Sequence, residues 1–129
     1  MGTYAELDKS RFPLVTITFT GKYPTDEGFD QYLNELEALY DAKKQLAIIF
    51  DARSAPLPSL KQQQRQASWL KKNNQLLKDY CLGTSYVITA GTTRVILKVI
   101  FSITPQPVPY KVCSNMDDAK EWALTRLSA

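Results

Sequence analysis

The chain has 129 residues, 44% of them hydrophobic and 22% charged, with a formal net charge of +3. This is the size and balance of one globular domain, residues 1–129, with a core of its own, and the charge excess is too mild for a nucleic-acid binder. The chain contains no histidine, so Ser-His-Asp and Cys-His chemistry is excluded, and the two cysteines, Cys81 and Cys113, cannot close a zinc site.

The segment "TYAELD" alternates Tyr4, Glu6 and Asp8 against Ala5 and Leu7, as an edge strand would. "PLVTITFTG" alternates Val15, Ile17 and Phe19 against Thr16, Thr18 and Thr20, which predicts a strand with one buried face. "GKYPT" is a turn. Thr25 then caps a helix whose first turn holds Asp26 and Glu27, placed where the helix dipole favours them. Phe29, Tyr32, Leu33, Leu36, Leu39 and Tyr40 recur along it at helical spacing, and Lys43 and Lys44 are expected at its C-terminal end.

"QLAIIFDA" is a near-continuous apolar run ending in Asp51, the pattern of a central strand covered on both faces. The loop "RSAPLP" follows. Ser59 then stands three residues before Gln62, a capping-box spacing. The helix it opens is expected from about Leu60 to Tyr80. Its first half is polar and should face solvent; Ala67, Leu70, Leu77 and Cys81, with Trp69, Leu76 and Tyr80 beside them, should pack. Trp69 and Trp122 read as core anchors.

"GTSYVITA" predicts a strand bounded by Gly83 and Gly91. Thr92 or Thr93 caps a short helix, "RVILKVIFSI", that is apolar on nearly all sides apart from Arg94 and Lys98 and stops at Pro105. "VPYKVCS" predicts a final strand. Asn115 caps the last helix, whose buried stripe is Met116, Ala119, Trp122, Ala123 and Leu127. The order β-β-α-β-α-β-α-β-α predicts an α/β layer structure: a mixed sheet of about five strands with four helices and right-handed crossovers.

No apolar leader opens the chain, Glu6 departs from the myristoylation pattern, and the run from Val95 to Ile103 is too short to span a bilayer. These point to a cytoplasmic protein without an integral membrane segment. In that compartment Cys81 and Cys113 are expected as buried, reduced thiols.

This element order, with "LAIIFDARS" as the central strand and a long helix behind a serine-containing loop, resembles the STAS domain. The resemblance is greatest to the bacterial anti-sigma-factor-antagonist-like (SpoIIAA-like) group, and the architecture is related to the CRAL-TRIO lipid-binding fold. It covers about Phe12 to Leu127. The resemblance implies a small non-enzymatic interaction module with no cofactor. Signalling members carry a phosphorylated serine or threonine in an Asp-Ser-Ser-Gly-like turn before the second helix. The nearest positions here are Ser54 and Ser59, but "DARSAPLPSLK" lacks that sequence and has no glycine.

The candidate sites follow. Asp51, at a strand's carboxyl end, sits where open α/β sheets place ligands; it is also placed to bind its own loop. Ser59 is a phosphorylation candidate and equally a simple N-cap, which the capping-box spacing favours. Ser54 is the weaker candidate. Arg53, Lys61, Arg65, Lys71 and Lys72 offer an anion-attracting face or, as favoured here, a solvated one. On the apolar helix, Val95, Ile96, Val99, Ile100 and Ile103 exceed what one side of a sheet covers, so that helix is either buried by its own chain or is an interface to a second copy, a regulatory protein or a lipid. The functional expectation is an interaction and regulatory module, with a second copy (homodimer) or a regulatory protein as partner and no nucleic acid. Carriage of an apolar small molecule or lipid is the alternative, and an enzyme ranks last.

Overall fold

The computed structural model describes residues 4–56, 58–89 and 107–128. The apolar helix expected over Thr92–Ile103, with Val95, Ile96, Val99, Ile100 and Ile103, lies outside the described residues. Five strands form one sheet in chain order: β1 (Ala5–Asp8), β2 (Leu14–Phe19), β3 (Leu46–Asp51), β4 (Cys81–Val87) and β5 (Tyr110–Cys113). β1 is antiparallel to β2, and the remaining neighbours are parallel. The described helices are α1 (Asp26–Ala38), α2 (Leu60–Lys72), α3 (Asn74–Tyr80) and α4 (Met116–Ser128). The five-stranded mixed sheet, with helices between its strands, is the architecture the sequence predicts.

The alternation in β2 works as expected. Val15 and Ile17 are fully buried, while Thr16 and Thr18 are half-buried on the other face. Every residue of β3 is buried. Leu46, Ile48 and Phe50 point into a cluster with Val15, Ile17 and the α1 residues Phe29, Tyr32, Leu33 and Leu36. Ala47 and Ile49 join Leu14, Val87 and Cys113 under Ala119 and Ala123 of α4. The sheet thus has a helix layer on each side.

The two layers differ in the side chains that fill them. On the α1 side an aromatic row crosses the sheet. Tyr4 meets Phe19 at 5.2 Å between ring centroids, Phe19 meets Phe50 at 6.3 Å, Phe50 meets Tyr86 at 4.9 Å, and Tyr86 meets Tyr110 at 6.4 Å. Each such pair adds roughly 0.5–1.5 kcal/mol beyond area burial. The α4 side is close-packed through small residues. Gly83 lies in β4 under Trp122, where a Cβ would come within 2.8 Å of the ring.

Four expectations are corrected. The helix predicted from Leu60 to Tyr80 is two helices, broken at Asn73. That residue is buried with φ −102° and ψ 15°, and its side-chain amide donates to the Trp69 carbonyl at 3.0 Å. Asparagine competes for backbone groups in this way, and two in succession weaken the helix there. The break redirects the chain, so that Leu77 is buried and β4 starts at Cys81, ahead of Gly83. Gln62 faces inward, not to solvent. Lys43 and Lys44 lie beyond the end of α1, which has no basic residue in its last turn.

The thiols Cys81 and Cys113 are free and buried, in clusters on opposite sides of the sheet. Cys113 stands in register with Val87, at the far end of β4 from Cys81. Trp69 and Trp122 are half-buried anchors on their helices' inner stripes.

Candidate functional site

The carboxyl ends of the parallel strands are followed by residues 20–25 ahead of α1 and by 52–56 and 58–59 ahead of α2. Gly21 has φ +90°, a left-handed conformation that glycine adopts without strain, and its backbone packs against Ser54. Both helices begin with a side-chain cap. Thr25 Oγ1 accepts from the Gly28 N–H at 2.9 Å. Ser59 Oγ accepts from the Gln62 N–H at 3.1 Å, and Gln62 Oε1 accepts from the Ser59 N–H at 3.1 Å, completing the capping box.

Gln62 also reaches across to α1. Its Nε2 donates to the Pro24 carbonyl at 3.0 Å and to Asp26 Oδ1 at 3.2 Å. Lys61 pairs with Asp26 at 3.2 Å, and Arg65 pairs with Asp30. The Lys61 and Gln62 donors hold the Asp26 carboxyl below the usual carboxylate range. One buried amide and two ion pairs therefore tie the entry of α1 to that of α2.

Asp51 ends β3 with its carboxylate buried. Arg53 binds it in a fork: Nε donates to Oδ1 at 2.9 Å and Nη2 to Oδ2 at 2.8 Å. The Arg53 backbone N–H adds a bond to Oδ1 at 3.3 Å. The Arg53 side chain holds the Asp51 carboxyl below its ordinary value, against the opposing effect of burial. Both carboxylate oxygens are engaged, so Asp51 organises its own loop rather than presenting a free base. Ser54 is exposed on that loop. Ser59 lies on the same edge, but its hydroxyl is committed to the cap.

Of the cationic face suggested by sequence, Arg53, Lys61 and Arg65 are all in ion pairs. The signal for this was present. Asp26 and Asp30 stand four apart on α1, as Lys61 and Arg65 do on α2, so each pair shares a helix face and the two faces match in charge. The bridging role of Gln62 carried no such signal beyond its place in the capping box. Two exposed apolar side chains flank the edge: Tyr23, 80% exposed, and Leu60, 71% exposed. Among the described residues, no group of three or more Cys, Asp or Glu side chains is placed to hold a metal ion. Among them, too, no helix is long and apolar enough to cross a membrane.

A five-stranded mixed sheet with this crossover pattern, and a capped helix behind the loop that follows its central strand, defines the SpoIIAA-like class of α/β folds. The chain is similar to the crystal structure of an uncharacterized DUF3478-family protein with a SpoIIAA-like fold from Shewanella loihica PV-4. The two share 16% sequence identity over 92% of this chain and 91% of that one, with a TM-score of 0.67. At that identity the likeness establishes the fold. No family model and no curated protein matches the chain.

Proposed function

We propose that this protein is a non-enzymatic interaction module of the STAS type, and that it binds a protein partner through the carboxyl edge of its sheet. The observation that carries the reading is the pairing of rigidity with exposed apolar surface. Gln62 and two ion pairs tie the entries of α1 and α2 together, yet Tyr23, just before α1, and Leu60, the first residue of α2, project into solvent. Pre-ordered aromatic and aliphatic anchors are what a protein interface uses. The internal ion pairs neutralise most of the local charge, which disfavours nucleic acid or another polyanion as the occupant. Within this reading Ser54 is the serine open to modification, because it is exposed while the hydroxyl of Ser59 caps α2.

The test places a photo-cross-linking residue at Leu60 in the native host. Any captured protein, a second copy included, is then reconstituted with the wild-type chain from purified components. The reading expects a complex that Tyr23→Ser with Leu60→Ser weakens at least tenfold, with Leu124→Ser on the opposite layer as an unaffected control. A strictly monomeric chain with no reconstituted complex, or a complex indifferent to Tyr23 and Leu60, rejects it. No observation among the described residues favours the carrier alternative.

A further inference from the structure

The two edges of the sheet differ in charge. At the amino edge, β2, β3 and β4 begin at nearly one level, with Leu14 beside Ala47 and Leu46 beside Cys81. The segments leading into these strands therefore converge there. The turn between β1 and β2 brings Lys9 and Arg11. It is closed by bonds from the Phe12 N–H to the Lys9 carbonyl and from the Leu14 N–H to the Arg11 carbonyl, both at 3.0 Å. The Pro13 carbonyl accepts from the Ala47 N–H at 3.0 Å and ties this turn to the start of β3. The turn ahead of β3 brings Lys43 and Lys44, and α3, which runs into β4, brings Lys78. The pairs of Asp26 with Lys61 and Asp30 with Arg65 keep α1 and α2 in step, so Lys71 and Lys72 come level with the end of α1.

All seven of these cations are exposed. Among the described residues none of them is in an ion pair, unlike Arg53, Lys61 and Arg65 at the carboxyl edge. The carboxylates on the amino edge are Asp8, Glu37, Asp41 and Asp79, four against seven. Asp8, within electrostatic reach of Arg11, accepts from the Ser10 N–H at 2.9 Å, and Asp79 accepts from the Gln75 amide at 2.8 Å. The excess of three cations equals the formal net charge of the whole chain, so the mild charge seen in the composition is concentrated at one edge. Lys71, Lys72 and Lys78 stand in last helical turns, where cations offset the helix dipole. That duty does not account for Lys9 and Arg11 on a turn, nor for Lys43 and Lys44 beyond the end of α1. Lys43 is held at φ +52°, a left-handed conformation that glycine or asparagine adopts more readily. A lysine there keeps its charge at the edge against the local backbone preference.

We propose that the amino edge of the sheet docks an extended acidic segment, rich in Asp and Glu, of a protein partner. From the β1–β2 turn to α3 the cations span about 14 Å, three strand spacings, which is the reach of roughly four extended residues. Six of the seven cations are lysines, compact point charges that suit recognition by charge rather than by a bidentate fork. Phe12, 36% exposed, is the one large apolar side chain exposed on these segments. A single ring does not make a base-stacking platform for a nucleic acid, and none of these described segments presents an apolar helix face to a bilayer. The surface lies at the opposite ends of the strands from Tyr23 and Leu60, so the proposal stands independently of the carboxyl-edge reading.

The test follows the backbone amide NMR signals of the isotope-labelled chain as octaglutamate is added at low salt. Saturable shifts are expected on residues 9–12, 43–45 and 71–79. Affinity should fall at least about fivefold when ionic strength rises from about 0.05 M to about 0.3 M, because salt screens exposed charges. Lys43→Gly, which suits the same backbone conformation, combined with Lys44→Gln should weaken binding at least about threefold, while the free variant keeps the spectrum of the folded protein. Lys22→Gln, at the carboxyl edge, should leave binding unchanged, as should Tyr23→Ser with Leu60→Ser. The proposal is overturned by an absence of saturable shifts, by shifts that map to the carboxyl edge, or by binding indifferent to the Lys43 and Lys44 changes. Tighter binding of a charge-matched oligothymidylate, or of phosphatidylserine vesicles, overturns it as well.

Discussion

Gly83 is the position where a single methyl group tests the packing of α4 most directly. A Cβ built there lies 2.8 Å from Trp122 Cη2, 3.0 Å from Trp122 Cζ3 and 3.1 Å from Arg126 Cγ. Carbon atoms in favourable contact sit at about 3.5–4.0 Å, so Gly83→Ala demands a displacement of roughly 0.5–1 Å from the ring. The ring cannot move alone. Arg126 stacks on it with Cζ 5.9 Å from the centroid, and Arg126 Nε donates to the Leu82 carbonyl at 3.0 Å. Behind them, Ala119 and Ala123 are fully buried against the sheet and leave α4 little room to lift. Overpacking of this kind costs about 1–3 kcal/mol. The reduced freedom of the unfolded chain returns about 0.4–1 kcal/mol. The net expectation is a loss of about 0.5–2.5 kcal/mol, measured by urea unfolding with an unchanged m-value. In a Trp122→Ala background the same change should be neutral or stabilising. A Gly83→Ala loss that persists undiminished in that background would refute the reasoning, as would a more stable single variant.

The other predictions concern the carboxyl edge and the thiols. Gln62→Ala strands the Pro24 carbonyl and the Ser59 N–H, and should lower stability by about 1–3 kcal/mol; Ser59→Ala removes only one cap bond and should cost about 0.5–2 kcal/mol. Comparing the two by chemical denaturation checks whether the cross-helix bonds outweigh the cap. Arg53→Ala should lower stability modestly at pH 7, since solvent screens a pair whose arginine is 49% exposed. Arg53 depresses the Asp51 pKa, so this stabilisation is present above the unfolded value of about 3.9 and is lost as pH falls through the folded value. The gap between wild type and Arg53→Ala should therefore close in acid, as followed by thermal melts from pH 7 to pH 2.5; a gap that is constant with pH contradicts it. Cys81 and Cys113 are buried on opposite sides of the sheet. Reaction with a chromogenic disulfide reagent should thus track unfolding, and mild oxidation should yield no intramolecular disulfide.

The strands and helix starts were legible because each rests on a short local rule. Alternation in "VTITF" and the continuous run in "LAIIFD" depend on which face is buried. The caps at Thr25, Ser59 and Asn115 depend on a side-chain oxygen standing three residues before an unpaired N–H, and all three bonds are present. What escaped sequence reading is set by contacts distant along the chain. Asn73 ends a helix that its neighbours would continue, with its backbone N–H and its buried side-chain amide both donating to the Trp69 carbonyl. Gln62 looks like solvent-facing polarity until Pro24 and Asp26, 38 and 36 residues away, are placed opposite it. The ligand-facing position expected for Asp51 is correct as a place on the sheet, yet the chemistry is local, since Arg53 two residues on occupies both oxygens.

The unequal layers of the sheet bear on where a partner fits. On the α4 side, Gly83, Ala119 and Ala123 bring helix and sheet close together, so any added atom meets backbone or an anchored ring. The α1 side is filled by large rings. Among the described large apolar side chains, Tyr23 and Leu60 at the carboxyl edge are more exposed than Leu124 on α4 or Tyr110 on β5. The residues that hold this edge, Gln62 and the pairs of Asp26 with Lys61 and Asp30 with Arg65, join one helix entry to another rather than to the sheet. A partner seated on Tyr23 and Leu60 would therefore meet a surface already ordered by side chains it need not touch. Its affinity should depend on those two anchors and respond only weakly to salt, because the nearby charges are matched within the chain.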